Sequence, residues 1–168
     1  MEVAVATDAD MRELGRRLAA VLRAGDLVLL SGELGAGKTT LTQGIGAGLG
    51  VRGAVTSPTF VIARLHPPLG DGPALVHVDA YRLGSLAELD DLDLDTSLDE
   101  SVTVVEWGEG RAEALSTDRL EVVLHRPRAD EEGQTRQVDL RGVGGRWRDV
   151  VLDDLWRVHQ DVPGAPDE

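Results

Sequence analysis

The hydrophobic pattern of the first fifty residues predicts a helix, a buried strand and a second helix. The first helix follows a cap sequence at 7–10 and has an apolar face formed by Met11, Leu14, Leu18, Val21 and Leu22. A continuous apolar run at 27–30 is typical of a strand that is buried on both faces. In the second helix, apolar residues recur at helical spacing from Leu41 to Leu49, and Gly50 can close the helix.

Short apolar and β-branched runs further along the chain predict five more strands. They lie at 60–65, 74–78, 102–105, 120–124 and 137–140. Turn residues separate the first two strands and a polar loop separates the last two, so each of these pairs is expected to form an antiparallel hairpin. Helices are expected at 108–115 and at 148–159, before a Pro-Gly-Ala-Pro tail.

The segment between the buried strand and the second helix has the spacing of a phosphate-binding P-loop. It reads Gly32-Glu33-Leu34-Gly35-Ala36-Gly37-Lys38-Thr39, and Lys38 is the only lysine among 17 basic residues. A compact ammonium suits the β- and γ-phosphate oxygens better than the broad guanidinium of arginine does. An ordinary glycine-rich turn would match this spacing in roughly one chain of this length per hundred or fewer. Because a strand precedes the loop and a helix follows it, we predict that the chain binds a nucleoside triphosphate.

Together the elements predict a three-layer α/β domain of the P-loop NTPase-like type, with a mainly parallel central sheet and antiparallel additions. With 168 residues and 42% hydrophobic content, the chain can bury one sizeable core. The ATPase-like domain is expected to span 1–150. Residues 151–168 are expected to form a C-terminal extension that is partly disordered.

Composition narrows the expected location and partners. Cysteine is absent, which excludes disulfides, thiolate metal sites and a cysteine nucleophile, and which fits a reducing compartment. The first thirty residues lack the basic start of a signal peptide, and no apolar run reaches membrane length, so we expect a cytoplasmic protein without a membrane partner. A formal net charge of −13 argues against broad contact with a nucleic-acid backbone, so any nucleic acid is expected to be held by another protein.

Two predicted strands end in a carboxylate, Asp79 and Glu106. P-loop enzymes need such a group near the metal ion and another residue that positions the attacking water. Periodicity does not assign the two roles, and a carboxylate at a strand end is otherwise commonly a helix cap or a surface charge. The segment at 56–60 is either an ordinary turn or a loop that responds to the γ-phosphate. His77 is expected to be structural rather than catalytic.

Four segments are distinctive in combination. They are Gly-Glu-Leu-Gly-Ala-Gly-Lys-Thr-Thr at 32–40, Ser-Pro-Thr-Phe at 57–60, His-Val-Asp-Ala-Tyr-Arg at 77–82 and Val-Glu-Trp-Gly-Glu at 105–109. In this order they resemble the TsaE family, bacterial ATPases needed to make the threonylcarbamoyladenosine modification of tRNA. The resemblance runs over about 7–148, which is nearly the whole chain.

The resemblance implies ATP and Mg²⁺ as cofactors and suggests roles for single residues. The residues that would wrap the phosphates are Leu34, Gly35, Ala36, Gly37, Lys38, Thr39 and Thr40, with Lys38 on the β- and γ-phosphate oxygens. Thr39 and Glu106 would hold the magnesium ion. Asp79 would orient water, and Thr59 would sense the γ-phosphate. Asp8 would contact the nucleotide, and Trp107 would shape the loop after Glu106.

The resemblance also implies a partner, the TsaB–TsaD complex, in which TsaD carries the transferase site. The protein would contact tRNA only indirectly, through this complex. The chain would then be an ATPase that is weak alone. Two alternatives stay open: a small-molecule P-loop kinase, and a nucleotide-binding switch without significant turnover. A kinase usually needs an arginine-bearing lid, and the best candidate, 126–136, reads more simply as a hairpin loop. A GTP-dependent switch would need a second lysine to read guanine, and the chain has none.

Overall fold

The computed structural model of the protein describes residues 1–56, 63–82, 98–108, 110, 112–127 and 135–157. The strands in these ranges are β1 (Glu2–Val5), β2 (Leu27–Gly32), β3 (Ala63–His66), β4 (Ala74–Asp79), β5 (Ser101–Glu106), β6 (Arg119–His125) and β7 (Arg136–Val143). The α-helices are α1 (Asp8–Ala19), α2 (Lys38–Leu49) and α3 (Asp154–Arg157). Short 3₁₀ turns lie at Ala80–Arg82, Ala112–Leu115 and Gly145–Trp147. Within the described ranges, no helix combines the length and the apolar composition that a membrane span requires.

The strands form one mixed sheet in the order β1-β7-β6-β2-β5-β4-β3. β2, which leads into the P-loop, pairs in parallel with β5 and β6, and β5 pairs in parallel with β4. The outer pairs, β1 with β7, β7 with β6 and β4 with β3, are antiparallel. The predicted α/β fold, with a mainly parallel centre and antiparallel additions, is confirmed.

Apolar residues cover both faces of this sheet, because side chains alternate between the two faces along each strand. On one face, α1 and α2 pack their apolar stripes, which include Leu14, Leu18, Leu41 and Ile45, against residues such as Val28 and Val104. On the other face, a smaller cluster contains Leu27, Leu29, Val76, Val105 and Ala112. The run at 27–30 is therefore buried on both sides, as its unbroken apolar sequence predicts.

Helix α1 begins with a capping box that confirms the predicted cap. The Asp10 N–H donates to Thr7 Oγ1 at 3.1 Å, and the Thr7 N–H donates to Asp10 Oδ2 at 3.0 Å. The helix ends at Ala19, earlier than the apolar pattern predicts, because the Ala20 N–H donates to the Arg17 carbonyl in a tightened last turn. Leu22 follows the helix but still packs in the core.

Helices α1 and α2 lie in close contact, and this contact brings the start of α1 to the P-loop. A methyl group on Gly15 would collide with the Leu41 carbonyl, and one on Gly44 would collide with the Arg12 carbonyl. Further along, Gly48 of α2 lies against Arg16 of α1, so the two helices run in the same direction. Their N-termini, at Asp8 and Lys38, are therefore neighbours.

Both predicted hairpins are confirmed within the described residues. β3 pairs antiparallel with β4, and β6 pairs antiparallel with β7, with His125 opposite Gln137. Residues 60–62 of the strand predicted at 60–65 lie outside the described residues. Because β6 runs parallel to β2, the loop end of the second hairpin lies at the same edge of the sheet as the P-loop.

Two predicted helices are wrong in extent, and one strand was not predicted. At 108–115 the described helical part is the turn Ala112–Leu115, because two glycines precede it and Gly110 has a φ of +73°. At 148–159 the described helix is the four-residue α3, which follows the β-branched pair at 150–151, and residues from 158 onward lie outside the described part. β1 is too short to give a clear alternating signal, with only Val3 and Val5 buried.

The first residues of the predicted C-terminal extension lie against α1. Leu152, Leu155 and Trp156 are partly buried against the main core. Arg17 Nη1 donates to the Leu155 carbonyl at 3.0 Å, and the Arg17 guanidinium lies 5.4 Å from the centre of the Trp156 ring. This segment therefore packs on the face of the domain that carries α1.

Candidate nucleotide-binding site

The P-loop joins the end of β2 to the start of α2, and its shape depends on glycine. Gly35 has a φ of +78° and Gly37 a φ of +108°, both in the left-handed region that favours glycine. Gly37 is also the residue that immediately precedes α2. The first backbone N–H groups of a helix have no partner within the helix, so this end of α2 suits an anion.

Lys38 is held against the P-loop itself. Its Nζ donates to the Gly32 carbonyl at 2.8 Å and to the Glu33 carbonyl at 3.0 Å. Burial lowers the pKa of Lys38 below its ordinary value, and the nearby carboxylates of Glu106 and Asp79 oppose this shift. The site therefore combines a buried cation with two carboxylates that balance its charge.

The two carboxylates that end β4 and β5 are direct neighbours in the sheet. Asp79 stands opposite Glu106 in the register, and both residues are almost fully buried. Glu106 Oε1 accepts a hydrogen bond from Thr39 Oγ1 at 3.4 Å and lies 2.7 Å from Nε2 of His77. Asp79 Oδ1 accepts a hydrogen bond from the Tyr81 N–H at 3.0 Å. Glu106 is thus connected to the first turn of α2, whereas Asp79 stabilises the turn that follows its own strand.

One aromatic ring lies beside the buried cation, and a second ring packs against the first. Trp107 has a φ of +61°, a left-handed conformation that is uncommon for a residue other than glycine. Its N–H donates to the Leu30 carbonyl at 3.1 Å, and the centre of its indole ring lies 4.0 Å from Lys38 Nζ. The ring of Tyr81 packs against the indole with a centroid distance of 5.4 Å. The turn after Glu106 therefore places an aromatic face on the lysine of the P-loop.

Two arginines from the second hairpin reach the P-loop from the other side. Arg136 Nη1 forms a 2.8 Å ion pair with Asp8 Oδ1, at the N-terminus of α1. Arg126 Nη1 donates to the Leu34 carbonyl at 3.2 Å. The hairpin end, α1 and the P-loop thus meet at one edge of the sheet.

These groups surround a cavity of about 530 Å³, a volume typical of small-molecule and cofactor sites. The residues that line it are Asp8, Leu34, Gly35, Gly37, Lys38, Thr39, Thr40, Asp79, Tyr81, Glu106, Trp107 and Arg136. These residues come from the P-loop, from the first turn of α2 and from the ends of β4 and β5, and they include the Asp8–Arg136 pair.

Comparison with known proteins identifies the family. The family model described as threonylcarbamoyl adenosine biosynthesis protein TsaE matches residues 5–138. A relative from Streptomyces coelicolor, named tRNA threonylcarbamoyladenosine biosynthesis protein TsaE, is 70% identical over 138 residues, which cover 82% of this chain and 93% of the relative. The chain belongs to the TsaE family.

More distant similarity covers nearly the whole chain. A relative from Bacillus subtilis, which also bears the name tRNA threonylcarbamoyladenosine biosynthesis protein TsaE, is 36% identical over 155 residues and 91% of each chain. A crystal structure of Bacillus subtilis YdiB matches with a TM-score of 0.71 and 29% identity, over 96% of each chain. The P-loop NTPase-like fold of this TsaE family member is thus shared with a solved structure.

In this TsaE family member, most of the residues predicted as site residues line the cavity. Those that line it are Asp8, Leu34, Gly35, Gly37, Lys38, Thr39, Thr40, Asp79 and Glu106. Ala36 does not line it, because its side chain is buried in the core and its N–H donates to the Glu33 carbonyl at 3.1 Å. Thr59 lies outside the described residues. The functional roles of all these residues stay predictions.

Arg136 is the lining residue that the sequence reasoning missed. In the sequence Arg136 is only the end of a polar hairpin loop, whereas in the structure it lines the cavity. The signal that could have found it is topological: a hairpin beside the P-loop strand presents its flanking residues to the P-loop. Tyr81, which belongs to the distinctive segment at 77–82, also lines the cavity.

The donor set at the start of α2 fits a hard divalent cation in this TsaE family member. The Thr39 hydroxyl and the Glu106 carboxylate offer oxygen atoms that lie next to each other. Among the described residues, no group of three or more His, Cys, Asp or Glu side chains could hold a metal ion by itself. A hydroxyl and a carboxylate side by side are ligands of the kind that Mg²⁺ takes together with substrate phosphates.

Proposed function

We propose that this protein binds ATP with Mg²⁺ in the cavity at the P-loop and hydrolyses it. The observation that carries the proposal is the hydrogen bond between Thr39 and Glu106, two residues that line the same cavity as Lys38. A hydroxyl, a carboxylate and a lysine in this arrangement are the groups with which P-loop proteins bind the metal and the β- and γ-phosphates.

Each lining residue then has a chemical task. The loop N–H groups and the N-terminus of α2 would bind the phosphates, and Lys38 would exchange its two carbonyl partners for phosphate oxygens. Thr39 and Glu106 would hold Mg²⁺, which would neutralise charge on the phosphates. Asp79 would orient the attacking water. Thr59, the proposed sensor of the γ-phosphate, is outside the described residues.

We further propose that the ATPase serves the biosynthesis of threonylcarbamoyladenosine in tRNA. The support is membership of the TsaE family and the names of the Streptomyces and Bacillus relatives. In this proposal the protein acts in the cytoplasm on the TsaB–TsaD complex and leaves the transfer reaction to TsaD. The net charge of −13 agrees with this division, since a chain with 30 acidic and 17 basic residues is poorly suited to hold tRNA itself.

The decisive experiment is a measurement of Mg²⁺-dependent ATP hydrolysis with and without the TsaB–TsaD pair of the same organism. We expect the pair to stimulate hydrolysis and Lys38→Ala to lower it by at least about 100-fold, because the lysine contacts charge that develops on the phosphates. Arg141→Ala is a matched control, since it removes a largely exposed cation whose residue does not line the cavity. ATP binding without any turnover would contradict hydrolysis and favour a switch. Unstimulated turnover would contradict the proposed partner and favour a kinase with an unknown acceptor.

A further inference from the structure

His77 is a buried polar residue in the middle of the parallel sheet, and it is not among the residues that line the cavity. Its side chain is 0% exposed, in a central position of β4. The nearest residues on the same face of β4 and β5 include Leu75, Val102 and Val104, which all belong to the apolar core. Packing alone would favour an aliphatic residue here, because a buried polar group is costly unless it is hydrogen-bonded.

The register of β4 and β5 shows which residue can form a hydrogen bond with His77 and so offset the cost of burying it. His77 stands opposite Val104, and Asp79 stands opposite Glu106. Side chains two residues apart in a strand share a face, so His77 and Glu106 are diagonal neighbours on one face of the sheet. Their atoms Nε2 and Oε1 lie 2.7 Å apart, a typical length for a hydrogen bond to a carboxylate.

The hydrogen-bond partners of the two ring nitrogens of His77 indicate which of them carries the proton. A carboxylate oxygen accepts hydrogen bonds, so His77 Nε2 carries the proton and donates it to Glu106 Oε1. His77 Nδ1 has no hydrogen-bond partner among the described residues. The hydrogen bond to Glu106 is therefore the one side-chain contact that compensates the burial of the ring among the described residues.

We propose that His77 is a positioning residue for the metal-binding carboxylate of Glu106. The bond from His77 occupies Oε1, restricts rotation of the carboxylate and directs the group toward the Thr39 hydroxyl, which also donates to Oε1. His77 contributes through Glu106 rather than by touching nucleotide or metal. This inference rests on the proposed use of Mg²⁺ and ATP in the cavity.

The test measures ADP affinity as a function of Mg²⁺ concentration, with a fluorescent ADP analogue, in the wild type, His77→Leu and His77→Gln. Loss of a hydrogen bond that orients a metal-binding group typically costs 10–100-fold in metal affinity, so we expect His77→Leu to raise the Mg²⁺ concentration for half-maximal tightening by about tenfold or more. Affinity for ADP without metal should stay within about twofold, because the P-loop is untouched. His77→Gln, whose amide N–H can reach the same oxygen, should recover most of the Mg²⁺ response.

The two substitutions at His77 distinguish a positioning role from a packing role. An unchanged Mg²⁺ response in His77→Leu would overturn the inference, and so would a loss in His77→Gln as large as in His77→Leu, which would point to packing. If His77→Leu does not fold, His77→Asn takes its place, because this amide is too short to reach Oε1.

The same titration separates this inference from the proposed function. The proposed function itself would be contradicted if the ADP affinity of the wild type did not depend on Mg²⁺ and the wild type did not hydrolyse ATP. A wild type that responds to Mg²⁺, together with a His77→Leu variant that responds equally, would contradict only the role of His77.

Discussion

The ends of β4 and β5 carry similar groups in different surroundings. Asp79 and Glu106 stand opposite each other in the register, are 7% and 3% exposed, and line the same cavity. Asp79 accepts a hydrogen bond from the backbone of its own turn. Glu106 is bonded to His77 on the neighbouring strand and to Thr39 at the start of α2. The two strand-end carboxylates therefore differ in the groups that donate hydrogen bonds to them.

Strand order is the physical origin of this difference. β5 pairs directly with β2, and Glu106 stands opposite Leu30, just before the P-loop. β4 is one strand further from the P-loop, and its terminal residue has a side chain one methylene shorter. Glu106 can thus reach the hydroxyl of the P-loop helix, whereas the Asp79 carboxylate remains beside its own turn. This comparison agrees with the proposed metal-binding role of Glu106, and the water-orienting role of Asp79 stays a prediction.

The largest effect is expected from Glu106→Gln. An amide keeps the shape of the side chain but removes the charge, so hydrolysis should fall by about 10³-fold and Mg²⁺ should no longer tighten ADP binding. Steady-state hydrolysis and ADP titration with and without Mg²⁺ measure both effects. A variant that still binds ADP more tightly with Mg²⁺ would break the assignment of Glu106 as the metal-binding carboxylate.

Asp79→Asn should have a smaller and different effect. Hydrolysis should fall by about 10²-fold, the lower range for loss of a group that accepts or positions a proton. The Mg²⁺ dependence of ADP affinity should stay as in the wild type. Asp79→Asn should therefore lose hydrolysis but keep the Mg²⁺ response, whereas Glu106→Gln should lose both. An equal loss of the Mg²⁺ response in the two variants would contradict this expectation.

Asp79→Ala is the companion variant for the turn. Asparagine keeps an oxygen that can accept from the Tyr81 N–H, whereas alanine leaves this N–H without its partner. Loss of one hydrogen bond costs about 0.5–1.5 kcal/mol, so Asp79→Ala should have a lower free energy of unfolding than Asp79→Asn. Denaturant unfolding of the two variants distinguishes the effect on the turn from the effect on chemistry.

The smallest effect concerns the pKa of Lys38. Burial lowers this pKa below the ordinary 10.5, and Glu106 opposes the shift more strongly than Asp79 does. We expect Glu106→Gln to lower the pKa of Lys38 further than Asp79→Asn does. Since Lys38 is the only lysine, one ¹⁵Nζ signal from labelled lysine reports it without assignment. The reverse order of the two variants would contradict the comparison of the two strand ends.

The sign of the linked effect on stability follows from the lowered pKa. Between the folded-state pKa of Lys38 and 10.5, the unfolded chain binds more protons at this residue than the folded chain does. The contribution of Lys38 to the free energy of unfolding therefore rises with pH in that window. Below the window both states are protonated, and the contribution is constant.

Local sequence patterns were sufficient for the P-loop and most strands. Lys38, Thr39 and the two strand-end carboxylates were recognised because their signals lie within one strand–loop or strand–turn segment. Periodicity does not show which groups donate hydrogen bonds to Asp79 and to Glu106, because these contacts depend on the order of the strands. Arg136 was missed because its contact with Asp8 spans most of the chain and depends on the pairing of β6 with β2. The left-handed backbone of Trp107 has no marker in the sequence, since glycine is the usual residue there.

The position of β2 also determines when the site can form during synthesis. β2 ends at Gly32, but its neighbours β5 and β6 begin only at Ser101 and Arg119. A growing chain therefore carries the P-loop strand with both edges unpaired while most of the domain is still being translated, and pairing across such long separations is slow. Arg136 joins the sheet later still. The cavity at the P-loop is thus expected to form late in folding, because its lining residues come from strands and turns at both ends of the chain.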